Sequence, residues 1–145
     1  MFKKVKKQIL ELKKNYYEVQ FYEIEVKLIE IEKELVILRN KEEVLIKPLI
    51  KEFISHIRNF KTRLYELTHK ERINSLLNIV KEIDYIIKEQ IKSEKYHKNL
   101  IESMEKEDTT KLSPSEKFYH HLKLTYLKEG KTEDEIEEFS RCMHM

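Results

Sequence analysis

Two residue pairs in the sequence have a spacing that suits a metal site. Glu66 and His69 are three residues apart, as are Glu94 and His97, so each pair would lie on one face of a helix, as in di-iron helical bundles. Glutamate is so abundant, alongside six histidines, that such pairs also arise by chance. Because His69 falls where we predict a turn, we interpret these residues as solvated and expect no metal site.

The other reactive side chains are poorly placed for chemistry. Cys142 is the only cysteine, and its spacing from His144 and from His120 or His121 matches no zinc-finger pattern. The single glycine cannot build a phosphate-binding loop. We therefore expect neither catalytic residues nor a cofactor, and we predict that the protein is not an enzyme.

Charge is distributed unevenly along the chain, although the formal net charge is only +2. Residues 1–14 contain six lysines and one glutamate, whereas residues 129–138 contain six acidic residues and one lysine. These charges either solvate helix faces or dock on a surface of opposite sign. The candidate partner-binding residues are Lys3, Lys4, Lys6 and Lys7 at the basic end, and Glu133, Asp134, Glu135, Glu137 and Glu138 at the acidic end.

Composition favours helices over strands. Glycine occurs once, proline twice and alanine never, while Glu, Lys, Ile and Leu dominate. No window approaches the roughly 18 apolar residues of a membrane span, and one cysteine is consistent with a reducing compartment. We expect a protein of the cytoplasm, or one packaged in a particle assembled there, that does not contact membranes.

Residues 1–47 lack both glycine and proline, and they predict one long helix with two apolar seams that extends to a first pause at residues 40–47. Alternation over residues 22–28 would also fit a strand, but the length of the uninterrupted pattern favours a helix. Since there are two seams, the middle of this helix should be buried on more than one side. The seams are Val5, Ile9, Leu12, Tyr16 and Val19, and then Phe21, Ile24, Leu28, Ile31, Leu35 and Leu38.

Local signals predict where the later helices begin and end. Pro48 suits the first turn of a second helix, and Thr68-x-x-Glu71 can cap a third, although a continuous helix through Thr68 also fits. Ser113-Pro114-Ser115-Glu116 predicts a fourth helix that carries Phe118 inward and ends at Gly130. Thr132-x-x-Glu135 then starts a short fifth helix, with Ile136 and Phe139 as its apolar face.

These elements predict an all-α fold, an antiparallel bundle of three to four long helices with a short C-terminal helix. We expect a single domain with a long-helix core at 1–112 and a helical pair at 113–145. The acidic last helix is unsuited to a DNA major groove, so direct sequence-specific nucleic-acid binding is not expected. Tyr17, Tyr65 and Tyr119 are candidate anchors for a protein partner.

The ends of the chain, MFKKVKKQILELKK and EDEIEEFSRCMHM, with long Ile/Leu/Lys/Glu helices between them, resemble the small helical proteins of crenarchaeal viruses. Within that group the chain is similar to the RNA polymerase inhibitory proteins of viruses such as Acidianus two-tailed virus. The resemblance implies a protein that binds host RNA polymerase, occupies its DNA channel and blocks transcription without chemistry. It covers the character of the whole chain with no diagnostic motif, so no functional residue is carried over, and the lack of alanine is a departure.

Two other functions fit the same sequence. The protein could be an oligomeric coiled-coil or virion subunit in which the seam within residues 21–38 is buried against another copy. It could also be an accessory nucleic-acid binder whose N-terminal lysines contact phosphates, in which case binding should weaken with salt.

Overall fold

The computed structural model describes residues 1–17 and 20–143, and these contain helices and no strands. The six helices are α1 (Lys3–Lys14), α2 (Phe21–Arg39), α3 (Lys47–Arg63), α4 (His69–Lys106), α5 (Pro114–Lys128) and α6 (Glu133–Met143). The predicted all-α bundle is confirmed.

The prediction of one continuous helix from the N-terminus to the pause at residues 40–47 is wrong. α1 ends at Lys14, with Asn15 as its C-terminal cap, and α2 begins at Phe21. Since Lys4 Nζ lies 2.8 Å from a carboxylate oxygen of Glu34, α1 runs back antiparallel to α2. Because the chain turns between the two seams, the apolar face of α1 packs against α2. Val19, assigned to the first seam, lies outside the described residues.

Contacts divide the chain into two compact units. Unit 1 comprises Met1–Lys41 and Ile46–Glu89, and unit 2 comprises Glu42–Leu45 and Gln90–Met145. α4 is continuous, and its residues from Gln90 onward group with α5 and α6. The organisation suggested by the sequence, a core at 1–112 with a pair at 113–145, stays a prediction.

Unit 1 is a four-helix antiparallel arrangement of α1, α2, α3 and the first half of α4. Glu32 on α2 accepts hydrogen bonds from Arg58 and Lys61 on α3, and Lys6 on α1 pairs with Asp84 on α4 at 2.9 Å. The core consists of apolar side chains from all four helices, which include Val5, Ile9, Leu12, Ile24, Leu28, Ile31, Leu35, Ile50, Phe53, Ile57, Leu76 and Ile83. This is the packing that the three-four spacing of the seams predicts.

Glu32 couples the stability of unit 1 to pH. Burial raises the pKa of its carboxyl. Hydrogen bonds and charge from Arg58 and Lys61 lower the pKa by more, so it lies below its ordinary value. A lowered folded-state pKa contributes stability at neutral pH that is lost as the pH falls through that pKa. We expect Glu32→Gln to cost about 1 kcal/mol at pH 7 and the difference from wild type to shrink in acid. Urea unfolding between pH 7 and pH 3 measures this, and a difference independent of pH would contradict it.

The predicted helix starts are confirmed by their capping bonds. Thr68 and Glu71 form a reciprocal pair, with Glu71 N donating to Thr68 Oγ1 at 3.2 Å and Thr68 N donating to the Glu71 carboxylate at 3.1 Å. A turn therefore separates α3 from α4, and the continuous helix through Thr68 is not formed. Ser113 accepts from the amide of Glu116 at the start of α5, and Thr132 accepts from that of Glu135 at the start of α6.

Unit 2 is held together around Gln90 and Gly130. The buried amide of Gln90 accepts from Leu45 N at 3.0 Å and donates to Glu43 O at 2.9 Å, which fixes residues 42–45 against α4. Gly130, which follows α5, has φ +93°, and a Cβ added there would lie 2.9 Å from the carbonyl oxygen of Glu42. Glycine is therefore needed at position 130 for two reasons: the turn has a positive φ, and the backbone passes close to that of Glu42.

Replacing Gly130 should destabilise unit 2. Gly130→Ala combines positive φ with a clash against a backbone oxygen, so we expect a loss of about 1–3 kcal/mol. Gly130→Asn tolerates the positive φ better but carries the same Cβ. Native-state hydrogen exchange of amides 90–143 measures both effects. Equal losses of protection in the two variants would show that the clash with Glu42 causes the destabilisation. Higher protection in the Asn variant than in the Ala variant would show that the positive φ causes it. Wild-type protection in the Ala variant would contradict the prediction.

Candidate partner-binding surfaces

The N-terminal lysines lie on α1 in unit 1, and two of them are engaged within it. Lys4 pairs with Glu34 at 2.8 Å and Lys6 with Asp84 at 2.9 Å. Lys3 and Lys7 are exposed and line a shallow depression together with Leu10. The structure therefore places the four lysines on one helix, but the charge that they present to a partner is reduced by two internal ion pairs.

The predicted acidic residues lie on α6, in unit 2. Glu133 accepts a hydrogen bond from Tyr96 Oη at 3.3 Å and lies 3.8 Å from Lys123 Nζ, and its charge raises the pKa of the Tyr96 hydroxyl. Glu135 caps the helix with Thr132. The remaining three, Asp134, Glu137 and Glu138, are exposed, and their spacing places them on one face of α6.

The two units carry net charges of opposite sign. The sequence of unit 1 has 19 basic and 13 acidic residues, a formal charge of +6, and that of unit 2 has 10 basic and 14 acidic residues, a formal charge of −4. The near-neutral total of the chain hides this difference. Residues 1–89 and 90–145 already differ in sign, at +4 and −2, and grouping Glu42 and Glu43 with the C-terminal residues widens the difference.

Unit 2 also contains an apolar groove that the sequence did not predict. It has a volume of about 1120 Å³ and lies between the end of α4, residues 112–116, α5 and α6. Its aromatic side chains are Phe118, Tyr119, Tyr126 and Phe139, and its aliphatic lining includes Leu100, Met104, Leu122 and Ile136. The expectation that Phe118 points inward is wrong, since it is 65% exposed, and Phe139 is 46% exposed.

A few polar groups are placed among these apolar side chains. His120 is buried, with its Nδ1 3.3 Å from a carboxylate oxygen of Glu107. Glu116 accepts from the hydroxyl of Ser113 at 3.0 Å, and Lys123 points toward Glu133. This combination of a largely apolar surface with a few fixed polar groups is typical of a binding site.

Two of the predicted tyrosine anchors lie at the end of unit 1 where α1 and α3 finish. Tyr17 is 74% exposed, and its ring centroid lies 5.1 Å from that of His69. Tyr65 is 58% exposed and contacts Phe21 edge to face at 5.9 Å. The third anchor, Tyr119, lies in the groove of unit 2.

The residue pairs with metal-like spacing have other contacts. His69 packs beside Tyr16 and Tyr17, and His97 Nε2 contacts the carbonyl oxygen of Leu127. Glu94 accepts from Gln90. Among the side chains that the structure describes, in residues 1–17 and 20–139 and at Arg141, no three of His, Cys, Asp or Glu are grouped so that they could hold a metal ion. The side chains of Cys142 and His144 lie outside this set.

The described structure defines this chain as an all-α helical bundle protein with an apolar groove in its second unit. Comparison with protein-family models, curated proteins and solved structures found no match. Among the described helices, none combines the length and the apolar character needed to cross a bilayer.

Proposed function

We propose that this protein acts without catalysis, by binding a macromolecular partner, and that the partner is a host RNA polymerase whose transcription it inhibits. The resemblance to viral polymerase inhibitors suggests the partner. One observation carries the mode of action: Asp134, Glu137 and Glu138 are exposed on α6, in a unit with a formal charge of −4.

An acidic helical surface can compete with nucleic acid for a basic channel. The channel of a polymerase must attract phosphates, so its lysines and arginines also attract carboxylates, and steering by charge raises the rate of association. Because α6 is already folded, no helix has to form when its carboxylates bind. Inhibition by this route should weaken as salt concentration rises.

The test is transcription by a purified crenarchaeal RNA polymerase titrated with the full chain. We expect inhibition at micromolar protein, and neutralisation of the exposed α6 acids should raise the required concentration about tenfold, equivalent to about 1.4 kcal/mol. The neutralised variant is Asp134→Asn, Glu137→Gln and Glu138→Gln, and the matched control neutralises three exposed acids of unit 1, Glu11→Gln, Glu30→Gln and Glu66→Gln. If polymerase neither binds the chain nor is inhibited by it, the proposal fails. Equal effects of the two variants would exclude the acidic face as its cause.

A second candidate function, self-association as a structural subunit, has one observation in its favour. The seam expected to meet another copy, from Ile24 to Leu38, is buried within unit 1. A different face of α2 is exposed and apolar, with Tyr22, Val26 and Ile37 all about half exposed. Sedimentation would support this function if it showed a stable oligomer that Val26→Lys dissociates. A monomer throughout the micromolar range would exclude it.

A further inference from the structure

The groove of unit 2 exposes aromatic side chains above a small apolar core. That core is a cluster of Met104, Leu127 and Ile136, with partly buried neighbours. The rings of Phe118 and Phe139 line the groove and are about two-thirds and one-half exposed. A molecule that covers these rings would remove apolar surface from water, and this favours binding in the groove.

The walls of the groove favour a helical segment of protein as its occupant. Its volume of about 1120 Å³ lies close to the upper limit of about 1,000 Å³ that is usual for small-molecule pockets. Its walls are helices, α4, α5 and α6, and grooves between helices recognise amphipathic helices through apolar residues spaced three and four positions apart.

Charge around the groove indicates the sign of the occupant. Glu107 and Glu116 are both in the lining, and Glu107 lies 3.3 Å from His120 Nδ1. Lys123 also lines the groove, and Glu133, 3.8 Å away, offsets its charge. Unit 2 as a whole has the formal charge of −4 derived above. A basic segment would therefore be attracted, and an acidic one repelled.

We propose that this groove binds an amphipathic helix of a partner protein, with two or three large apolar residues seated against Phe118 and Phe139 and with lysine or arginine at its edges. The inference rests on the proposed function, since it describes how unit 2 holds a protein partner. Phe118 and Phe139 supply aromatic anchors of the kind that dominate interface energies. Glu107 meets the basic edge of the bound helix.

Fluorescence anisotropy with the full chain tests this proposal. The probes are labelled Leu/Lys peptides of about four helical turns, one with leucines on a single face and one with the same composition scrambled, together with a Leu/Glu peptide of the first pattern. We expect the single-face Leu/Lys peptide to bind at least about tenfold more tightly than either of the others. This corresponds to about 1.4 kcal/mol.

Matched variants assign the binding to the groove. Phe118→Ala and Phe139→Ala should each weaken it about tenfold, a typical loss for a hot-spot aromatic, whereas Tyr85→Ala, an equally exposed aromatic on α4 of unit 1, should not change it. Glu107→Gln should weaken binding and reduce its salt dependence, and Glu102→Gln, an exposed acid away from the groove, should not. Circular dichroism of each variant shows whether its fold is retained.

Several outcomes would overturn the inference. These are no binding of any peptide, equal binding of the scrambled or acidic peptide, or an unchanged affinity in Phe118→Ala. Self-association through the groove, abolished by the same substitution, would assign the surface to another copy of the chain. If peptides bind as expected but polymerase is not inhibited, only the proposed function fails. If polymerase is inhibited equally by wild type and Phe118→Ala, only the groove proposal fails.

Discussion

Replacing Ile24 by alanine should lower the free energy of unfolding by about 2–5 kcal/mol. Ile24 lies on α2, is 0% exposed and packs in the core of unit 1. The substitution removes three buried carbon atoms and leaves a cavity that neighbouring helices can only partly fill, because protein cores are closely packed. Urea unfolding followed by circular dichroism measures the loss.

Ile37→Ala is the matched control for Ile24→Ala. Ile37 is the same residue type on the same helix, but it is 54% exposed. Alanine also has the higher helix propensity, so we expect a change within about 0.5 kcal/mol. Comparable losses in the two variants would contradict the assignment of core and surface on α2. They would indicate that the outer face of α2 is also buried in solution.

Replacing Arg72 by methionine should cost about 2–4 kcal/mol. Arg72 lies in the first turn of α4 and is only 8% exposed. Its Nε donates to the carbonyl oxygen of Leu64, at the end of α3, at 2.8 Å, and its guanidinium carbon lies 3.9 Å from the centroid of the Phe21 ring. Loss of the guanidinium therefore leaves a carbonyl of the α3 terminus without this donor and removes a cation–π contact.

Arg72→Lys distinguishes these contributions from charge alone. Lysine keeps the positive charge but cannot present a planar group that stacks on Phe21 while donating to Leu64. We expect it to recover less than half of the loss caused by methionine. Thermal and urea unfolding of both variants measure the free energy of unfolding. If Arg72→Lys is as stable as wild type, charge alone accounts for the contribution of Arg72.

Helix boundaries were the features most accurately predicted from sequence. Thr68, Ser113 and Thr132 cap helices through bonds to residues only three positions away, so the signal and its effect lie in the same short segment. The break after Lys14 was missed because that segment has neither glycine nor proline. The break is stabilised by the apolar surface that α1 and α2 bury against each other, and no local sequence pattern predicts that contact.

Of the candidate site, the sequence identified the charged ends and the tyrosines but not the groove. Phe118 was predicted to point inward because it falls on an apolar spacing with Leu122, yet the spacing cannot show whether a neighbouring helix is present to cover it. Arg72 gave no signal at all, since a buried arginine looks the same in a sequence as a solvated one. The number of aromatic residues in the terminal helical pair was the nearest available clue.

The sequence alone determined that this chain is helical, where most of its helices start, and that its ends differ in charge. These properties depend on propensity, capping and composition, which act within a few residues of each other. The tertiary structure decided that α1 folds back on α2, that Glu42 and Glu43 group with the acidic C-terminal residues, and that α4, α5 and α6 leave an apolar groove between them. Each of these results depends on which distant segments pack together, because a side chain is buried only where residues from other segments cover it.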